Sequence, residues 1–142
     1  MRTIKEIRYL KSSGSILPEL QWVEEYLLSE ENATLSRKGR IENSQVNAGS
    51  WNLIPDRLVL KELFDALQKM GCAKLNRIDP ADPPDGGGSE EFTIVYETGD
   101  TCIMRYDPGV TYENGDEYAA LIRSFISTID LPGNAVNRHL IP

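Results

Sequence analysis

The residue types that most often carry catalysis are sparse in this chain. Among its 142 residues there is one histidine, His139, and two cysteines, Cys72 and Cys102. One histidine excludes a multi-histidine metal site. It would also oblige a serine or cysteine triad to draw its base from the far end of the chain. The sequence contains no P-loop, no GxSxG elbow and no HExxH pair. Gly14 between Ser13 and Ser15 offers backbone amides to an anion, but without a Walker lysine or a dinucleotide fingerprint it reads as a connector. Asp79, Asp82 and Asp85 stand three apart and are oxygen donors of the kind hard cations take. They lack the two-residue acid spacing, sixth-position glycine and twelfth-position glutamate of an EF-hand loop, so neither a metal nor another cofactor is expected. Glu24 and Glu25 are adjacent, and neighbours on a strand point to opposite faces, which prevents them from working as an acid/base pair. Asp107 and Glu113 are the remaining catalytic candidates, and burial in a pocket would be needed to make either one a general acid or base.

Binding is the better supported class. With 22 acidic against 15 basic residues the formal charge is −7, which repels phosphate backbones and acidic lipid and attracts cationic proteins. Acids concentrate at Glu19, Glu24, Glu25, Glu30 and Glu31 and again along Asp79 to Glu91. The expected partner is therefore a basic protein, masked as immunity proteins mask nuclease toxins, with no nucleic acid and no membrane involved. The local basic cluster Arg37, Lys38 and Arg40 is expected to pair with Glu24, Glu25, Glu30 or Glu31 across a hairpin. The alternative is a small ligand held in a cleft walled by Trp22, Trp51, Tyr106 and Tyr112, although packing is the commoner use of such rings.

The elements that must position these groups are read from hydrophobic period. Leu60, Leu63, Phe64, Leu67 and Met70 line one side of a helix over Pro55 to Gly71, with Pro55 and Asp56 in its first turn and Gly71 as a left-handed stop. A second helix presents Tyr118, Leu121, Ile122, Phe125, Ile126 and Ile129, and Leu131-Pro132-Gly133 ends it. Strands are expected from Arg2 to Leu10, Leu20 to Ser29, Ala33 to Ile41, Phe92 to Tyr96 and Cys102 to Tyr106, the last two forming a well-covered central hairpin. Leu20 to Leu28 also matches a helical spacing; its β-formers Trp22, Val23 and Tyr26 favour a strand. Glu42 to Asn52 reads as loop, the segment after Cys72 as a short strand or extended connection, and Asp79 to Glu91 as an exposed acidic Pro/Gly loop.

The pattern resembles small bacterial domains of unknown function, in which a strand, an S-G-x-x-L-P-like turn, two further strands and a helix follow one another. Ser13-Gly14, Leu17-Pro18, Thr34 to Gly39, Gly49 and the helix after Pro55 carry the likeness over about two-thirds of the chain. It implies a strand at Leu20 to Leu28 and brings no catalytic residue. The fold class is α+β: one domain over 1–142, a mainly antiparallel sheet of about five strands with two amphipathic helices on one face. Residues 133–142 form a tail, and an unpaired edge at Arg2 to Leu10 or at the tail would allow a homodimer by strand addition. With neither a signal-peptide core nor a membrane span, and cysteines read as unpaired core residues with a bridge as the lesser alternative, the expected compartment is the cytoplasm.

Overall fold

The computed structural model describes residues 3–14, 16–84 and 86–129. The expected stop at Leu131-Pro132-Gly133, the tail 133–142 and His139 lie outside them. In chain order the elements are β1 (Ile4–Ser12), β2 (Trp22–Leu28), β3 (Ala33–Gly39), β4 (Gly49–Leu53), α1 (Arg57–Leu67), β5 (Asn76–Ile78), β6 (Ser89–Tyr96), β7 (Thr101–Tyr106), β8 (Thr111–Glu113) and α2 (Asp116–Ser127). Six strands form one antiparallel sheet in the order β4-β3-β2-β1-β6-β7, and β5 pairs with β8 in a small second sheet. The chain is α+β, with one strand more in the main sheet than expected. No helix among the described residues is long and apolar enough to cross a membrane.

Period-two alternation divides the sheet into a covered and an uncovered face. Ile7 and Tyr9 of β1, Tyr26 and Leu28 of β2, Ala33 and Leu35 of β3, Phe92 and Ile94 of β6 and Met104 of β7 all point into the core. Arg8, Leu10, Glu25, Ser36, Ile103 and Arg105 occupy the other side and are exposed. Both helices close the covered face. α1 buries Leu60, Leu63, Phe64 and Leu67, each worth about 1.5–3 kcal/mol when fully removed from water, and Met70 follows them into the core.

Several boundaries differ from expectation for local reasons. Asp56 is the N-cap of α1, its Oδ1 accepting from the amides of Leu58 (2.9 Å) and Val59 (3.2 Å), so Pro55 precedes the helix. The helix ends at Leu67 with Gln68 as its cap, and Gly71 has φ −93°, which is not left-handed. In α2 the buried stripe is Ala119, Ile122, Phe125 and Ile126; Leu121 is exposed and Tyr118 half-buried. The loop expected over Glu42 to Asn52 contains all of β4 but its last residue, Leu53, and the loop expected up to Glu91 stops at Gly88, with β6 beginning at Ser89. β7 is an edge strand of the main sheet and not a central one. β1, by contrast, lies between β2 and β6, so the expected free edge at the N-terminal strand does not exist.

The cysteines also depart from expectation. Cys72, just after α1, and Cys102 on β7 form a disulfide with their Cα atoms 5.8 Å apart. Spacing in the chain gave no hint of this, because α1 alone brings position 72 against the sheet.

Candidate functional site

Two sequence-predicted tyrosines belong to a ladder of rings that crosses the covered face. Tyr26 and Tyr9 stack at 5.5 Å, Tyr9 and Phe92 at 4.6 Å, Phe92 meets Tyr106 edge-on at 5.7 Å, and Tyr106 meets Tyr112 at 5.0 Å. Tyr106 Oη donates to Asp116 Oδ1 (2.7 Å), and Tyr112 Oη accepts from the Arg105 amide (2.9 Å). Both rings are buried, so neither walls a cleft.

One register step beyond this ladder, the covered face becomes polar. Arg37, Glu24, Lys11 and Glu90 stand side by side on β3, β2, β1 and β6. Glu24 and Arg37 are both buried, with Arg37 Nε and Nη2 each 2.7 Å from Glu24 Oε2. Arg37 Nη1 also donates to the Asn47 carbonyl (3.3 Å), and its guanidinium lies 5.3 Å from the Trp51 ring centroid. The expected cross-hairpin pairing is therefore found for Arg37. Glu24 is thus not a surface acid and does not act as a steering charge, contrary to the expectation from its place in the acidic hairpin.

Glu90 is held in a second cluster. Arg123 of α2 grips both its carboxylate oxygens (2.8–3.1 Å) while Tyr9 Oη donates to Oε2. Arg123 in turn rests over the rings of Tyr106 (4.9 Å) and Phe92 (5.3 Å). Burial pushes the Glu90 carboxyl up, but hydrogen bonds from Arg123 and Tyr9 outweigh it and hold the group below its ordinary value. The same contacts act on the phenols: burial, reinforced by Glu90, drives Tyr9 well above the ordinary range, and burial beside the Glu24 charge takes Tyr26 to about 12. An acid gripped in this way stays ionised and a phenol so placed stays protonated at neutral pH. The cluster braces α2 against the sheet and offers no group poised for proton transfer. Asp107 and Glu113 do not supply one either: both are exposed, Asp107 paired with Arg77 (3.1 Å) and Glu113 accepting from Asn76 (3.4 Å).

A trough of about 890 Å³ opens on the uncovered face, lined by Leu10, Val23, Glu25, Ser36, Lys38 and Arg40, with Gly39, Gly49 and Ser50 as its shallow parts and the otherwise inward Arg37 reaching its border. Glu25 reaches it, opposite in direction to Glu24. Trp22, Trp51, Tyr106 and Tyr112 do not line it, so the aromatic-walled cleft is not formed there. Trp22 is half-buried opposite Gly39, and Trp51, half-buried on β4, sits beneath Arg37.

A third feature lies at the turn end of the sheet. Glu30 and Glu31 from the β2–β3 turn and Glu97 from the β6–β7 turn border a depression of about 270 Å³ with Thr3, Ile4, Lys5 and Ser29. All three carboxylates are exposed. Sequence reasoning named Glu30 and Glu31 but missed Glu97 and Arg123, and it counted Glu90 only as one acid of the exposed run Asp79 to Glu91. Parity was the available signal for Glu90, which shares the inward register of Phe92, Ile94 and Tyr96. No protein-family model, curated protein or solved structure matches the chain.

Proposed function

We propose that the chain is a non-enzymatic protein-binding module that receives a basic partner at the acidic turn end of its sheet. One observation carries this: Glu30, Glu31 and Glu97 converge from two separate turns, exposed, with Lys5 the one cation among the lining residues. Inside the domain Glu24 and Glu90 are consumed by Arg37 and Arg123, so the acids left to steer a partner are the outer ones. The same field disfavours nucleic acid and anionic membranes.

The test is capture of proteins from source lysate on the immobilised chain, with elution by a salt step. A basic protein should be retained by wild type and by a control carrying Glu62→Lys, Asp65→Lys and Glu117→Lys, which changes net charge equally on the helices. It should be lost with Glu30→Lys, Glu31→Lys and Glu97→Lys. Equal retention by both triple variants, or no retained protein, would refute the reading.

The compartment belongs to the same proposal. Unpaired thiols were one support for the cytoplasm, and the Cys72–Cys102 bridge removes it. We place the protein where disulfides persist, to be checked by non-reducing mass spectrometry of the protein from its source.

A further inference from the structure

The two edges of the main sheet are treated differently. At β7 the Arg105 amide is taken by Tyr112 Oη (2.9 Å) and the Arg105 carbonyl by Arg77 Nη1 (3.2 Å), so side chains close this edge at Arg105. At the opposite edge, β4 pairs with β3 alone among the described residues. Its sequence, Gly49-Ser50-Trp51-Asn52-Leu53, has no charge and no proline, the devices that ordinarily keep an edge from pairing.

We propose that β4 accepts an added strand from a partner, an extended segment in which acidic and apolar residues alternate. Main-chain pairing supplies the attachment, and the two sides of β4 supply the preference. On the uncovered side Ser36 and Ser50 are small, and Gly39 and Gly49, in register with the inward Trp22 and Arg37, add no side chain, so the trough is shallow beside the edge. Lys38 and Arg40 flank it, and neither has an ion-pair partner among the described residues. A strand laid on β4 would lie two strand spacings, about 9–10 Å, from β3, a span that a glutamate and a lysine side chain bridge together. On the other side, Trp51 and Leu53 point inward, and the chain continues into Ile54 and Leu58, the two most exposed large aliphatic residues described, at 93% and 67%. β4 spans only the β3 positions Ala33 to Arg37, so Lys38 and Arg40 stand just past its Gly49 end; an added strand that alternates between these sides and overhangs that end would bring acids to them while its apolar residues meet Trp51 and its neighbours. This surface is distinct from the acidic turn end and stands independently of the role proposed for it.

The test uses three labelled nine-residue peptides and fluorescence anisotropy at low ionic strength. One alternates glutamate with valine, one lysine with valine, and one is the glutamate peptide N-methylated at every second residue to block main-chain pairing. The glutamate peptide should bind at least about tenfold more tightly than the lysine peptide, and N-methylation should abolish its binding. Lys38→Glu with Arg40→Glu, folded by circular dichroism, should invert the charge preference. No binding, equal binding of the N-methylated peptide, or preference for lysine would overturn the proposal. So would a dimer of the chain alone that Ser50→Lys disperses, since a second copy would then be the occupant of the edge.

Discussion

Arg37→Met should be among the most damaging single substitutions in this protein, and the reason lies in Glu24. Both side chains are buried, and Glu24 has its two short contacts with Arg37. Removing one partner of a buried ion pair strands the other charge in a poorly polarisable interior, which costs about 3–5 kcal/mol. Loss of the guanidinium from the Trp51 face adds about 0.5–2 kcal/mol, and the Asn47 carbonyl loses a donor. Glu24→Leu should be comparably harmful because it strands Arg37. The double variant Glu24→Leu/Arg37→Met removes both charges and fills the space with apolar atoms, so it should be destabilised by less than about 2 kcal/mol, far below the sum of the singles. Urea unfolding at constant m, with free energies from the midpoints, measures all three. Additive losses, or an Arg37→Met cost under about 1 kcal/mol, would refute the reasoning and mean that water reaches the pair.

Three further outcomes follow from other parts of the structure. The Glu90 carboxyl is depressed in the folded state, so its contribution to stability is present above the unfolded value near 4.5 and is lost as pH falls through the lower folded value. Urea midpoints measured from about pH 6 to pH 3 should therefore fall less steeply for Arg123→Gln than for wild type. Replacing Cys72 and Cys102 by serine opens a bridge spanning 30 positions and should cost about 3–4 kcal/mol on the chain-entropy model, read as the difference in urea midpoint from the oxidised protein. Asp56→Ala removes the acceptor for the Leu58 and Val59 amides and should cost about 1 kcal/mol, while Asp56→Asn should largely retain stability in the same assay.

What was legible in the sequence was whatever depended on period and strong local signals. All five apolar positions expected to line α1 are buried, and the β6–β7 hairpin forms across its Gly99 turn. The strand at Trp22–Leu28 prevailed over its helical alternative because β3 pairs along its full length, a contact that spacing does not encode. β4 escaped notice because Gly49, Ser50 and Asn52 give it a polar, loop-like composition around Trp51, and β8 because three residues are too few to display alternation. The disulfide was hidden for another reason, since it depends on where α1 delivers the chain. At the candidate site, a pairing between the basic cluster and the hairpin acids was anticipated from composition, while the choice of Glu24 for Arg37 rests on the register that only the structure gives. The Glu90–Arg123 pairing was not anticipated, because its partners belong to elements whose relative placement is a tertiary fact.

The central position of β1 sets an order of events during synthesis. The hairpins β1–β2, β2–β3 and β3–β4 join neighbouring segments and can form as the chain emerges. The other side of β1 waits for β6, whose Glu90 is 81 positions beyond Tyr9. Until β6 arrives, the nascent four-stranded meander carries an open flank along its longest strand, with Ile7 and Tyr9 uncovered. At that stage the nascent chain is most exposed to pairing with its neighbours on the ribosome, and a slow stretch of translation before Ser89 would lengthen the exposure.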